Sequence, residues 1–358
     1  MDLKTVFKSL PAKLPGYGFP PETEQAVGEY LQFFLTREDL QILAESYYEE
    51  IFAKPSYQYA KFEKLPENDG REEGLLFVVI ALARYELLDG VMPAQCMPGA
   101  LRTLKELVQK SKNCYGSYGL RGMYRSGIVP YLLPYKFILG RLCFEVATFN
   151  SAYEVYRNKK DGTTLPVALP GVSYMPDGKR PPRSYEGELI EPSVKQDGET
   201  VTCYTFDTAG CLCPNPITLS LTDYEKVLKT GDDVLSVHIP KDGKMTPALV
   251  DEAFCLAEDF FARYYPEKKF VAYVCSSWLL NTDMQAFLSP ETNMMQFQNR
   301  FRVVLTTVNT YSLHWHVFGI EQFLPLDEMQ PVNPFQRNVL DWVKSGKVLY
   351  NGYGYILK

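Results

Sequence analysis

The sequence predicts an α+β protein in which a helical N-terminal domain, residues 1–137, precedes a mixed α/β domain, residues 138–358. Three observations lead to this prediction. Apolar residues recur at helical spacing up to about Lys136, strand-like alternation begins within ILGRLCFEVATF, and a strand–helix–strand pattern follows in the second half. A pattern of the last kind is typical of a βαβ unit, whose two strands lie parallel in one sheet.

Composition excludes several classes of protein. The chain has 358 residues, of which 46% are hydrophobic and 22% charged, as in an ordinary globular protein. Its net charge of −6 argues against a protein that binds nucleic-acid phosphates. The longest apolar run, GLLFVVIALA, is shorter than the roughly 20 residues of a membrane-spanning helix. We therefore expect a small-molecule substrate and neither a nucleic acid nor a membrane as partner; the oligomeric state stays open.

The location in the cell is predicted from two features. The N-terminus lacks the apolar core of a signal peptide. The eight cysteines have no regular spacing and several lie within apolar runs, which is typical of free, mostly buried thiols. We expect a cytoplasmic protein.

The helical domain is predicted from four segments with an apolar stripe or an apolar core, none of which carries a cluster of chemically reactive side chains. They are PETEQAVGEYLQFFL from Pro21, TREDLQILAESYYEEIF from Thr36, REEGLLFVVIALARYELL from Arg71 and GALRTLKELVQKSK from Gly99.

The second domain opens with a predicted strand in which Leu142, Phe144 and Val146 alternate with polar or small residues, and AYEVYR is its expected hairpin partner. Residues 158–199 are rich in Pro and Gly and predict an irregular excursion, either a lid or an insertion. Further strands are expected at ETVTCYTF, PITLSL, RVVLTTV, LHWHVFG and VLYNGYGYILK, and further helices at TDYEKVLKTG, from about Thr282, near NMMQFQNRF and at NPFQRNVLDWVKSG.

The sequence pattern at the centre of this domain predicts a ligand-binding site. Val234–Ile239 and Phe270–Cys275 are apolar enough for buried parallel strands, and Thr246 and Pro247 mark the start of the helix between them. Ligands of open α/β sheets bind beyond the carboxyl ends of such strands. The loop that begins at Pro240 is therefore the expected place for function.

Two residues are candidate general bases. His238 ends the first central strand, and a neutral imidazole accepts a proton near pH 7. Glu145 is the second candidate, although an ion pair with Arg141 on the same strand face is the alternative interpretation. Ser276 and Ser277 follow the second central strand without the glycines of a nucleophile elbow, so we predict a hydrogen-bonding role for them.

A metal site is a further hypothesis. His314 and His316 are two apart in a predicted strand, so that both side chains leave one face, and His238 could complete a three-histidine site. The sequence supplies spacing but no convergence, and no metal is expected.

Four segments carry a family resemblance. LGRLCFE, LKTGDDVLSVHIPKDGKMTP, CSSWLL and NMMQFQNRF, in this order, resemble a bacterial family of acyltransferase domain-containing proteins. Its members pair a helical N-acyltransferase N-terminal domain with a GNAT-like C-terminal domain, and the resemblance covers most of the chain. It implies a GNAT-like sheet in which one strand splays from its neighbour, with the arm of acyl-CoA or CoA between them and a helix N-terminus near the pyrophosphate.

The sequence departs from mainstream GNAT enzymes at two points. Those enzymes carry a Q/R-x-x-G-x-G/A loop around the pyrophosphate, where this chain has PKDGKMTP. The segment TDMQAFL also lacks the tyrosine that often protonates the leaving thiolate.

The resemblance implies an N-acyltransferase that moves an acyl group from an acyl thioester to an amine. His238 or Glu145 would take up the proton, backbone amides near His238 to Lys241 would polarise the carbonyl, and the helical domain and the excursion would shape the acceptor side. One alternative is a non-catalytic protein that binds a small molecule or a partner on a GNAT-like scaffold, and another is a metal-dependent enzyme that uses the three histidines. The predicted binding residues are Arg141, Ile239, Pro240, Lys241, Gly243, Lys244, Ser276, Ser277 and Trp278.

Overall fold

The computed structural model describes residues 2–52, 71–240, 243–309, 311–320 and 323–358. The chain divides into two compact units, Met1–Ile138 and Leu139–Lys358. The first is helical and the second is built on a mixed sheet. The predicted fold class is confirmed.

The helical unit is organised around one apolar helix. Because GLLFVVIALA is apolar on every side, the helix that contains it is buried and packs against five other α-helices of the described residues. None of the helices in the described residues is both long and apolar enough to cross a membrane. The helices are α1 (Leu3–Lys13), α2 (Pro21–Leu35), α3 (Glu38–Phe52), the central α4 (Arg71–Leu87), α5 (Met97–Tyr115) and α6 (Met123–Ile128).

The second unit consists mainly of strands, with three α-helices in its described residues. The strands are β1 (Lys136–Leu139, which spans the boundary of the units), β2 (Leu142–Thr148), β3 (Tyr153–Asn158), β4 (Thr164–Ala168), β5 (Lys195–Asp197), β6 (Thr200–Cys203), β7 (Ile217–Ser220), β8 (Tyr224–Leu228), β9 (Asp233–His238), β10 (Ala272–Ser277), β11 (Arg302–Val308) and β12 (Tyr350–Leu357). The helices are α7 (Pro247–Tyr264), α8 (Asn293–Gln298) and α9 (Pro334–Lys344).

The main sheet has the order β1-β2-β9-β10-β12-β11 in the described part of the chain. β9 and β10 are parallel and α7 connects them, which confirms the predicted βαβ unit. β2 pairs with β9, and β12 pairs with both β10 and β11, in antiparallel ladders.

The two faces of the sheet bury different layers. On one face the ring of Phe254 from α7 lies 5.7 Å from Phe144 and 4.8 Å from Tyr273, measured between centroids. On the other face, side chains such as Val234 and Val274 belong to a separate apolar cluster with the excursion. Alternate residues of a strand point to opposite faces, so this alternation decides which strand residues lie away from α7.

Two local predictions are wrong. AYEVYR is not the hairpin partner of β2, because β9 occupies that position and β3 joins a second sheet of order β4-β3-β8. TDYEKVLKTG is not a helix, because its residues form β8. One or two turns of helix are marginally stable without tertiary support. Here the backbone of β8 is satisfied by pairing with β3 instead, and Lys226 forms an ion pair with Glu154 at 2.5 Å.

The Pro- and Gly-rich excursion is largely irregular, as predicted, but it contains β4 and β5. Tyr174 is buried in the apolar cluster on the sheet, and Lys179 forms an ion pair with Asp283 at 2.7 Å. Gly178 has a positive φ of 80°, and a Cβ there would lie 2.3 Å from the carbonyl oxygen of Leu212, so only glycine fits. The excursion therefore packs on the sheet through part of its length.

The cysteines support a labelling prediction. All eight lie in the described residues and none forms a disulfide, and Cys114 and Cys255 are exposed. The thiolate is the reactive form, and burial raises the pKa of Cys275 to about 12 and that of Cys203 to about 11. With a chromogenic disulfide reagent at pH 8 we expect Cys114 and Cys255 to react first, and a C114S/C255S variant to lose this fast phase. A fast phase that persists in this variant would contradict the burial. The thiols expected to react only on unfolding are Cys96, Cys143, Cys203 and Cys275.

Candidate active site

The main sheet opens between its two parallel strands. The ladder between β9 and β10 runs from Val234–Ala272 to Ser236–Val274 and then ends. Both strands nevertheless continue, β9 paired with β2 as far as His238 and β10 paired with β12 as far as Ser277. The two backbones therefore diverge at their carboxyl ends, as the family resemblance implies.

A cavity of about 680 Å³ lies at this divergence. Its wall comes from the ends of β9 and β10, from the residues after β11, from the start of β12 and from the segment 312–319. The lining residues are Val237, His238, Ile239, Pro240, Cys275, Ser276, Ser277, Trp278, Leu279, Asn309, Ser312, Trp315, His316, Val317, Phe318, Gly319 and Asn351.

The two candidate bases are in contact, and His238 lines this cavity. Nε2 of His238 is 2.8 Å from Oε2 of Glu145, and their side chains are 40% and 24% exposed. The register explains the contact: Cys143 is opposite His238 and Glu145 is opposite Ser236, so Glu145 and His238 are diagonal neighbours on one face of the sheet. This is the face away from α7, since Leu235 and Val237 alternate with His238.

The direction of this hydrogen bond depends on the tautomer of His238. An ionised carboxylate only accepts hydrogen bonds, so with Glu145 ionised Nε2 of His238 carries the hydrogen and donates it. In the neutral imidazole the lone pair then lies on Nδ1, which becomes the proton-accepting atom. A carboxylate in this position can orient the ring and stabilise an imidazolium, as in catalytic triads.

Arg141 contacts the loop that follows β9. It lies in the turn before β2, where its guanidinium donates to the backbone carbonyls of Pro240 at 2.9 Å, Gly243 at 3.2 Å and Lys244 at 3.1 Å. The planar fork of arginine suits several acceptors at once. Arg141 therefore holds the loop between β9 and α7; Lys241, another predicted binding residue, lies outside the described residues.

Replacing Arg141 with Ala should loosen this loop. Because hydrogen bonds to a charged donor contribute about 1.5–3 kcal/mol each when buried and less when exposed, we expect the melting temperature to fall by a few degrees. The amides of residues 243–246 should exchange faster with deuterium in mass spectrometry. R141K keeps the positive charge but lacks the planar guanidinium, so its melting temperature and exchange rates should lie between those of the wild type and R141A. Unchanged exchange in both variants would show that the carbonyl contacts do not hold the loop.

The other predicted binding residues divide into two groups. Ile239, Pro240, Ser276, Ser277 and Trp278 all line the cavity. The hydroxyl of Ser277 accepts a hydrogen bond from the backbone of Leu279 at 3.1 Å and so caps the short 3₁₀ turn Trp278–Leu280.

Gly243 and Lys244 are not part of the cavity wall. They lie in the loop before α7, where Gly243 has a positive φ of 78°.

The strand predicted for LHWHVFG is wrong, because residues Leu313–Phe318 form a π-helix. Leu313 and Val317, four apart, are buried together in an apolar cluster, and this packing decides the helical form. The two histidines therefore do not share a face. His314 is buried with Nε2 2.9 Å from the carbonyl oxygen of Leu324, whereas His316 is exposed and stacks on Trp278, with ring centroids 6.0 Å apart.

The described residues hold no group of three or more His, Cys, Asp or Glu side chains placed to bind a metal ion. His238, His314 and His316 in particular do not converge. The geometry does not support the three-histidine hypothesis.

Several cavity residues carried no signal in the sequence. Asn309 follows β11 and Asn351 lies on β12, where the Nδ2 of Asn309 donates to Oδ1 of Asn351 at 2.6 Å. Trp315 lies in the segment LHWHVFG, for which the sequence predicts a strand, and Ser312 directly precedes it. These four residues reach the cavity only because β12 pairs with β10 and β11 pairs with β12.

Comparison with known proteins places the chain in a family. The family model described as GNAT-like C-terminal domain matches residues 137–356, which is more than half of the chain. The chain belongs to this family. Its splayed strands and the cavity between them lie entirely within the matched residues of this GNAT-like protein. A search of curated proteins finds no match.

Solved structures share the fold of this GNAT-like protein along its whole length. An acyltransferase in complex with decanoyl-CoA is 17% identical with a TM-score of 0.60, covering 100% of both chains. An acyltransferase in complex with decanoyl-CoA and teicoplanin is 19% identical, and an acyltransferase mutant in complex with octanoyl-CoA is 18% identical. Both have a TM-score of 0.56 and cover 100% of this chain and 99% of theirs. At these identities the likeness shows a common fold.

Proposed function

We propose that this GNAT-like protein is an N-acyltransferase that uses an acyl-CoA as donor. The observation that carries the proposal is the end of the β9–β10 ladder at Ser236–Val274, which opens a cavity with His238 in its wall, and His238 contacts Glu145. A pantetheine arm is a narrow chain with amide groups, and an opened ladder offers it both space and backbone partners. The acyl-CoA complexes of the similarly folded acyltransferases support the same donor.

The reaction requires one proton acceptor. The nitrogen of the amine attacks the thioester carbon, the new C–N bond forms, and the C–S bond breaks to release CoA as thiolate. His238 takes up the proton that the amine loses, and Glu145 stabilises the resulting imidazolium. The thiolate takes up a proton in turn, so the products are an amide and CoA. Glu145 is the alternative acceptor, directly or through water.

The wall of the cavity favours an aliphatic acyl group. Trp278, Val317 and Phe318 contribute apolar surface on the side of the π-helix. Octanoyl-CoA and decanoyl-CoA, the ligands of the similarly folded acyltransferases, are therefore the first donors to test. We also propose a cytoplasmic location, which the eight free thiols support.

A thermal-shift measurement tests the donor. At a concentration about 100 times its Kd, a ligand adds about 2.7 kcal/mol to the free energy of unfolding. For a domain of this size, this corresponds to a rise in melting temperature of roughly 5–10 °C. We expect such a rise with octanoyl-CoA or decanoyl-CoA and a smaller one with CoA. No rise with any of them would overturn the proposal.

Turnover separates an enzyme from a binding protein. We expect CoA release, followed by mass spectrometry, to depend on an added amine drawn from a panel of aliphatic and aromatic primary amines. Tight donor binding without amine-dependent release across the panel would favour the non-catalytic binding protein.

A further inference from the structure

Ser312 is a buried polar residue in the wall of the cavity. Its side chain is completely buried, and its backbone N–H donates to Oδ1 of Asn309 at 2.9 Å. Its hydroxyl has no hydrogen-bond partner in the described part of the protein. A buried hydroxyl without a partner is costly and uncommon in native proteins, so its presence needs an explanation.

Ser312 differs in this respect from the asparagines and from Ser277 in the same wall. Asn309 and Asn351 are hydrogen-bonded to each other, and Ser277 caps its own turn. These neighbouring polar groups of the wall are thus satisfied within the protein. Ser312 also directly precedes the π-helix Leu313–Phe318, and π-helical turns are rare and often occur at functional sites.

We infer that Ser312 is a substrate-positioning residue whose hydroxyl donates a hydrogen bond to a carbonyl oxygen of the bound acyl donor. This inference rests on the proposed function. A thioester and the amides of a pantetheine arm all present carbonyl oxygens, which lose their water when they enter a cavity of this kind. A serine hydroxyl supplies one donor. Its hydrogen bond to the ligand satisfies both the hydroxyl of Ser312 and the carbonyl oxygen of the ligand.

The test compares two buried serines that differ in their partners. Ser111 in α5 is also completely buried, but its hydroxyl accepts a hydrogen bond from the backbone of Arg121 at 3.1 Å. S312A removes a hydroxyl that has no protein partner, so its melting temperature without ligand should stay the same or rise. S111A removes a used acceptor, so its melting temperature should fall.

In ligand binding, S312A should be the impaired variant and S111A the unaffected one. By isothermal titration calorimetry with decanoyl-CoA, S312A should bind roughly three- to tenfold more weakly, as loss of one neutral hydrogen bond implies. S312C, which keeps the size but is a weak donor, should show a similar loss. S111A should bind with the affinity of the wild type.

The outcomes separate the inference from the function on which it rests. Wild-type affinity in S312A and S312C would overturn the role of Ser312 alone. A fall in the melting temperature of S312A as large as that of S111A would also overturn it, because the hydroxyl would then have a structural partner. A wild-type protein that binds no acyl-CoA would overturn the proposed function and this inference together.

Discussion

Replacing His238 with Ala should lower amine-dependent CoA release by roughly 10²-fold or more, as loss of a general base typically does. The melting temperature should stay nearly unchanged, because the side chain is 40% exposed and its contact with Glu145 lies at the cavity. The Kd for decanoyl-CoA should also stay close to that of the wild type, since the imidazole acts on the amine. Steady-state kinetics, calorimetry and a thermal melt measure the three quantities.

His314 provides the matched control. It is buried with its Nε2 2.9 Å from the carbonyl oxygen of Leu324, and it does not line the cavity. H314A should therefore lower the melting temperature through lost packing and an unpaired carbonyl. If H238A instead shows the large loss of stability, His238 is a packed structural residue and the loop after it is only a connection.

Glu145 allows a sharper test of the pair. If the carboxylate acts by orienting His238, E145Q lowers turnover in the wild type but has little effect in H238A. Additive losses in the double variant would instead mean that Glu145 accepts the proton independently.

Filling the slot between the central strands should weaken donor binding strongly while sparing the fold. Ser276 is exposed, lies at the end of β10 and lines the cavity. A tryptophan at this position would occupy the space opened by the end of the β9–β10 ladder. We expect S276W to bind decanoyl-CoA roughly 10- to 100-fold more weakly, the equivalent of the about 1–3 kcal/mol that overpacking costs.

The pattern distinguishes this variant from H238A. S276W should raise the Kd of the donor, whereas H238A should lower turnover and leave the Kd unchanged. S193W, at an exposed serine of the excursion that does not line the cavity, serves as control and should bind normally. Wild-type affinity in S276W would mean that the donor does not enter between β9 and β10.

Element type was predictable wherever the local pattern was long and regular. The apolar run of α4, the amphipathic α7 and the apolar strands β9 and β10 all formed as expected. Errors arose in short segments with mixed patterns. β8 became a strand because β3 offered a partner, and Leu313–Phe318 became a π-helix because Leu313 and Val317 share an apolar cluster.

The sequence by itself determined the division into a helical and a mixed unit and the βαβ centre, because these depend on neighbouring residues along the chain. It also singled out His238 and Glu145 as candidate bases. Only the tertiary structure decided that Glu145 contacts His238, that Arg141 holds the loop, and that Ser312 reaches the cavity with an unsatisfied hydroxyl. Strand order, register and the packing of the π-helix bring these residues together from distant parts of the chain. Such contacts depend on pairing between strands that are distant in the chain, and the pattern within one strand does not specify all of its neighbours.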